Sequence, residues 1–285
     1  MQPPVKARKL GIAALLLGCA VGASVSKAHS SAAHRWTSLG PDGGWITALV
    51  IDPDDPATIY AGTRHNGVFK TTDGGTTWNP ANAGLPGTWV WDLAIDPLNT
   101  NTLYVALDSG VFKTTDGGGS WLPARSGLPY ILGILAVDPQ HPGTVYAAPG
   151  WNALMASGSA GVYKTTDGGA SWAAVNSGLP INQCWVTSLA IDPQAPDTVY
   201  AACLVFGTGA PLYKTTDGGA SWRAASRTLS PFTDIMVIAI DPNNATLYAG
   251  SGTYINFGIW KSVDGGSSWA EANSGLPGGR LTRIL

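Results

Sequence analysis

One nine-residue segment recurs five times and sets tight limits on the fold. It reads Lys70-Thr71-Thr72-Asp73-Gly74-Gly75-Thr76-Thr77-Trp78 and returns, with small changes, at residues 113–121, 164–172, 214–222 and 261–269. Its aspartates, Asp73, Asp116, Asp167, Asp217 and Asp264, stand 43, 51, 50 and 47 positions apart. Periods of that size suit four-stranded propeller blades, each too small to bury its own apolar faces alone. Two more markers keep step. Apolar runs end in Asp-Pro at Asp52, Asp96, Asp138, Asp192 and Asp241, and a following run carries Tyr60, Tyr104, Tyr146, Tyr200 and Tyr248.

Each unit reads as four short antiparallel strands. Residues 46–51 are almost continuously apolar, as expected of an inner strand buried on both faces. Asp52-Pro53 opens a turn, because Asp accepts local N–H groups and Pro presets the next φ. Residues 58–63 and 68–72 form the middle strands, rich in β-branched and aromatic side chains. Residues 76–79 form the outer strand. No stretch of useful length carries helical periodicity, so the fold class is all-β: a β-propeller of four-stranded antiparallel blades.

In the repeated segment the aspartate can accept several turn N–H groups and a hydroxyl proton. The Gly pair supplies φ > 0, and the Trp packs under the turn. This pattern resembles the Asp-box, or sialidase-type, repeat over nearly the whole chain. The resemblance extends to bacterial sialidases, xyloglucan-degrading glycosidases, sortilin-type receptors and photosystem II assembly factors. It implies that the boxes lie on the propeller face away from any active site.

The polar inventory is mostly scaffold. Five of 17 Asp belong to the boxes and five to Asp-Pro turns, and all five Lys beyond Lys27 open a box. In a propeller, the loops between second and third strands share one face with the loops that join blades. Trp45, Trp89 and Trp185 recur seven residues before the Asp-Pro turns and would rim a funnel there. Arg64, Trp151, Phe206 and Tyr254 lie on neighbouring loops. These Trp either stack on a sugar or peptide, or plug the channel as packing.

Enzyme chemistry finds less support. A sialidase resemblance would require an Arg triad and a Tyr–Glu pair, whereas the single Glu, Glu271, follows a box Trp. The xyloglucan-degrading resemblance implies a carboxylate four residues past the strand Tyr of the opening blade. Arg64 stands at that offset in the first repeat, and Asp108 in the second. Asp108, Asp42, Asp92 and Asp234 are therefore the candidates for a carboxylate pair, since glycoside hydrolysis needs two acids across one bond. Solvated loop acids are the simpler reading. No His/Cys cluster has zinc spacing, no EF-hand pattern exists, and no phosphate loop appears, so neither metal nor cofactor is expected.

The first 28 residues hold Lys6, Arg8, Lys9 and Lys27, no acid, and an apolar run over residues 10–25. That is the layout of an export signal, with Ser26-Lys27-Ala28 as the cleavage site. Cys19 closes a segment resembling a lipobox, which leaves a lipid anchor as the alternative to simple secretion. The run is short for a bilayer span. Beyond the leader the chain is mildly acidic and lacks a basic run, which argues against nucleic acid and leaves a protein or polysaccharide as partner. Residues 29–35 read as linker and 36–285 as propeller. A lone fourth strand at Trp36 and a lone first strand at residues 281–285 suggest a C-terminally truncated member of a six- to eight-bladed ring.

Cys184 and Cys203 flank the first two strands of the fourth repeat. Their antiparallel register puts them opposite one another, and in an oxidising compartment they should form a disulfide. The expected protein is an exported, non-catalytic propeller that binds a partner through its Trp-rimmed funnel, with a xyloglucan-type glycoside hydrolase as the alternative.

Overall fold

A computed structural model of the chain describes residues 40–41, 44–129, 133–149, 161–181, 184–204, 212–226, 235–252 and 257–275. Those residues form five four-stranded antiparallel sheets arranged as the blades of a propeller, with no helix among them. Blade one contains β1 (Ile46–Ile51), β2 (Ile59–Thr63), β3 (Gly67–Thr71) and β4 (Asn79–Pro80). Blade two contains β5 (Val90–Ile95), β6 (Leu103–Leu107), β7 (Gly110–Thr114) and β8 (Leu122–Pro123). Blade three contains β9 (Ile134–Val137), β10 (Val145–Ala148), β11 (Tyr163–Thr165) and β12 (Ala173–Ala174). Blade four contains β13 (Trp185–Ile191), β14 (Val199–Leu204), β15 (Leu212–Thr215) and β16 (Arg223–Ser226). Blade five contains β17 (Ile235–Ile240), β18 (Leu247–Gly252), β19 (Phe257–Ser262) and β20 (Ala270–Glu271).

The inner strands pack side by side in chain order, β1 on β5, β5 on β9, β9 on β13 and β13 on β17. The apolar core lies between blades rather than within them. Tyr60 and Val68 of blade one cluster with Val90, Leu103, Phe112 and Trp121 of blade two, and the same kind of cluster recurs at the next three junctions. Sheets this narrow have two faces to cover, and stacking neighbours covers both.

The repeated turn differs from the expectation in two ways. The outer strand begins later than residue 76, at Asn79, because the hydroxyl residues before it belong to the turn. Thr77 donates its Oγ1–H to Asp73 Oδ2 at 2.7 Å and its N–H to Asp73 Oδ1 at 2.9 Å. The Trp, expected beneath its own turn, stays there in blade five, where Trp269 Nε1 donates to Gly266 O, but reaches the preceding blade at three junctions. Trp121 Nε1 donates to Ala81 O, Trp172 Nε1 to Ala124 O, and Trp222 Nε1 to Val175 O. The reason is the core: an indole needs an apolar wall, and that wall is the neighbouring blade.

A second link grips the turn itself. Gly218 O accepts from Tyr146 Oη at 3.0 Å and Lys164 Nζ at 2.9 Å, both from the preceding blade. Gly117 O takes the same pair from Tyr60 and Lys70. Lys164 Nζ also lies 5.2 Å from the Tyr146 ring centroid, so its charge rests on an aromatic face. This close embrace requires glycine in the turn. At Gly168 (φ 69°) an added Cβ would come within 2.8 Å of Lys113 Nζ.

Candidate binding site

Two loop sets meet at one end of blade one, and the aspartate turn lies at the other. In blade one, Arg64 N–H donates to Trp45 O, which ties the β2–β3 loop to the segment entering β1, and Gly67 N–H donates to Thr88 O of the segment entering β5. At the opposite end Gly74 N–H donates to Ala57 O, which joins the aspartate turn to the β1–β2 turn.

At the first of these ends, blades one and two build a ladder of rings and charge. The Arg64 guanidinium carbon lies 4.8 Å from the Trp45 ring centroid and 4.7 Å from that of Trp89, so the cation sits against both indoles. Trp89 meets Trp91 at 5.0 Å and the His65 ring edge-on at 5.3 Å. Trp91 Nε1 then donates to Asp108 Oδ1 at 2.6 Å. Trp45 keeps 66% of its surface exposed. Arg64 Nε, Trp89 Nε1 and Ser109 Oγ are buried without a hydrogen-bond partner.

Backbone irregularity positions this ladder. β1, β5 and β17 carry a register shift after their first residue and β13 after its second, at Thr47, Trp91, Met236 and Thr187. A bulge re-aims the side chain it carries. Thr47 Oγ1 thereby reaches Val90 O, and Thr187 Oγ1 reaches Ile235 O, each on the next blade. At the same position Trp91 turns to Trp89 and Asp108.

Of the sequence candidates, Trp45, Arg64 and Trp89 come together, and Asp108 joins them through Trp91. Asp92 does not. It is buried, and its Oδ2 accepts Leu135 N–H at 3.0 Å, bridging β5 to β9. Ser188 Oγ performs the same duty for Ile238 N–H two blades on, which marks Asp92 as a scaffold position. Trp185 opens β13 in blade four, whereas Trp45 and Trp89 stand one residue before β1 and β5. Asp42, Asp234, Trp151, Phe206, Tyr254 and Cys19 lie outside the described residues. Cys184 and Cys203 are disulfide-bonded, with Cα atoms 5.0 Å apart.

Sequence reasoning does not single out Trp91, His65 or the asparagines that close the loops at this end. Asn82 Oδ1 accepts Val68 N–H, and Asn176 and Asn273 do the same for Val162 and Ile259. Their signal was available, since each stands two residues before a Gly-Leu-Pro. Blade two has Arg125 there, and it donates instead to Ser109 O at 2.6 Å.

The five aspartates of the repeated turn are fully engaged at the far end. Ser171 donates N–H and Oγ–H to Asp167, and Thr165 Oγ1 adds a third bond. Such bonds favour the charged carboxylate. Asp73 is held at about 2 mainly by Thr77 N–H, and Asp116, Asp217 and Asp264 at about 2 mainly by the hydroxyls of Thr114, Ser221 and Ser268. Asp167 lies lower still. Carboxylates this well bonded are anchors for backbone rather than acids poised for proton transfer.

No protein-family model matches the sequence. A xyloglucanase of Acetivibrio thermocellus is 28% identical over 132 residues, 45% of this chain and 12% of that protein. The crystal structure of an ancestral GH74 enzyme superposes with a TM-score of 0.68 at 26% identity, over 87% of this chain and 34% of that one. The chain is a β-propeller resembling the xyloglucanases. This xyloglucanase-like propeller thus spans about a third of the GH74 chain and far less of the Acetivibrio protein. It also shares its fold with YCF48 bound to D1 peptide, at a TM-score of 0.56 and 18% identity, over 81% and 69% of the two chains. Among the described residues no helix is long and apolar enough to cross a membrane, and no group of His, Cys, Asp and Glu could hold a metal ion.

Proposed function

We propose that this propeller binds a polysaccharide at the end where Trp45, Arg64 and Trp89 stack, and that it does so without cleaving it. The observation that carries the reading is Trp45, an indole left two-thirds exposed while Arg64 braces it. A rigid, exposed aromatic face is what a sugar ring packs on, and preorganisation limits the entropy lost on binding. The likeness to a GH74 enzyme at 26% identity supports a glycan over a protein as the ligand.

Two carboxylates offered for catalysis are otherwise engaged, Asp92 by a backbone N–H and Asp108 by an indole. Hydrolysis is the second reading, because Asp108 stays exposed beside the aromatic ladder and a partner acid at residue 42 or 234 would complete a pair. The reading also takes residues 1–28 as an export signal, which would deliver the propeller to the compartment where polysaccharides occur.

The test is a glycan array with a parallel polysaccharide-hydrolysis screen of residues 29–285. Binding without released sugar supports the proposal. Reducing ends that disappear in Asp108→Asn establish the hydrolase instead. Trp45→Ala and Trp89→Ala should each weaken binding by about 1–3 kcal/mol. Unchanged affinity with a lowered melting temperature makes the ladder packing only.

A further inference from the structure

We propose that Arg64 makes this end of the propeller selective for acidic glycans, by receiving a sugar carboxylate. The inference rests on the polysaccharide-binding reading above and goes further, to the chemical class of the sugar.

Arg64 is a cation set between indole rings. Among the described residues it forms no ion pair and no side-chain hydrogen bond, and its Nε–H is buried without an acceptor. Asp108, the described carboxylate on the ladder, is held by Trp91 Nε1 at 2.6 Å. Arg125, by contrast, satisfies itself on Ser109 O. A guanidinium carries five N–H donors in a fixed plane and stays charged at any physiological pH.

Next comes how it is held. The guanidinium carbon lies over both indoles, at 4.8 and 4.7 Å, so the rings hold the cation in place without accepting any of its N–H groups in a conventional hydrogen bond. A planar array of paired N–H groups matches the two oxygens of a carboxylate better than a single hydroxyl. The flanking Trp45 offers an apolar platform. One residue of an acidic polysaccharide supplies both complements, a ring face and a carboxylate. A neutral glycan supplies the ring alone and would leave the charge unpaired as the site dries.

The experiment is calorimetric titration of the full chain with oligogalacturonate and with its methyl ester, which keeps the rings and removes the charge. The acid should bind about tenfold more tightly than the ester, with an advantage that shrinks as salt is added. In Arg64→Gln, acid and ester should bind alike, at the affinity of the ester. Arg64→Lys should lose most of the preference, since an ammonium lacks the fork. Equal affinity for acid and ester in the wild type overturns the proposal, as does a preference that persists in Arg64→Gln. If Arg64→Gln melts without cooperativity, the wild-type comparison and its salt dependence decide alone. A neutral xyloglucan oligosaccharide that binds while oligogalacturonate does not sinks the acidic specificity but keeps the polysaccharide reading. If no glycan binds, both fall. A glutamate-rich peptide of equal charge that binds more tightly than oligogalacturonate assigns the site to protein instead.

Discussion

Thr165 shows how much one small side chain can organise. Its hydroxyl is buried, accepts Gly169 N–H at 3.0 Å and donates to Asp167 at 2.6 Å. Thr165→Ala would strand a buried N–H, so it should cost about 1–3 kcal/mol, while Thr165→Ser should cost little. Urea melts of the two variants check this. Equal losses would point to the methyl group rather than the hydroxyl. The aspartates beside these hydroxyls make stability depend on acid. Four of them titrate at about 2 in the fold against 3.8 as free side chains. The unfolded chain therefore takes up protons first as pH falls. The stabilisation is complete above about pH 4 and declines progressively toward pH 2. A melting temperature that stays flat over that interval would contradict this account.

The junction between strands and turns couples one blade to the next. Gly218 is buried, and its carbonyl has two donors, Tyr146 and Lys164. Removing either should cost about 0.5–1.5 kcal/mol, because the other donor remains. Removing both leaves the oxygen unpaired, so Tyr146→Phe and Lys164→Met should lose more together than separately, with a coupling of at least about 0.5 kcal/mol. A double-mutant cycle in urea tests it, and simple additivity would show that the two bonds act independently. The disulfide acts within one blade. It joins residues 19 positions apart, so its reduction should cost about 3 kcal/mol, read as a drop in denaturation midpoint under dithiothreitol.

Elements of this kind were legible in the sequence to the extent that their signal is local. The inner strands are apolar and β-branched, and the Asp-Pro turns announce themselves, so β1 runs over residues 46–51 as its composition suggests. The outer strands were not legible, because Thr77 could pair in a strand or bond to Asp73, and the carboxylate prevails. The bulge that turns Trp91 toward Asp108 depends on which residue of β6 lies opposite, and no pattern within β5 encodes that. Arg64 and Trp45 could be placed on one face from topology alone. That they stack depends on side-chain geometry that spacing does not carry.

At the scale of the molecule the two ends of each blade work apart. The aromatic ladder stands where blades are joined, and the aspartate turns stand at the other end of strands that are five residues long in β2 and β3. Sites separated in this way, without shared partners, should respond additively. Thr165→Ala should therefore lower the melting temperature and leave glycan affinity within twofold of wild type, and its combination with Trp45→Ala should bind no worse than Trp45→Ala alone. A tenfold further loss would mean that the ends communicate.

The grip of Tyr and Lys on the following turn carries a last consequence. At the four described junctions the donors stand on one blade and the accepting glycine carbonyl on the next, with Tyr and Lys together at Gly117 and Gly218, Lys113 at Gly168 and Tyr200 at Gly265, so the polarity is the same throughout. A duplicated blade would arrive with a socket for its predecessor and a plug for its successor already in its own sequence. Lengthening or shortening such a chain by whole units needs no new surface to evolve, and copying errors between repeats become a direct route to propellers of different size.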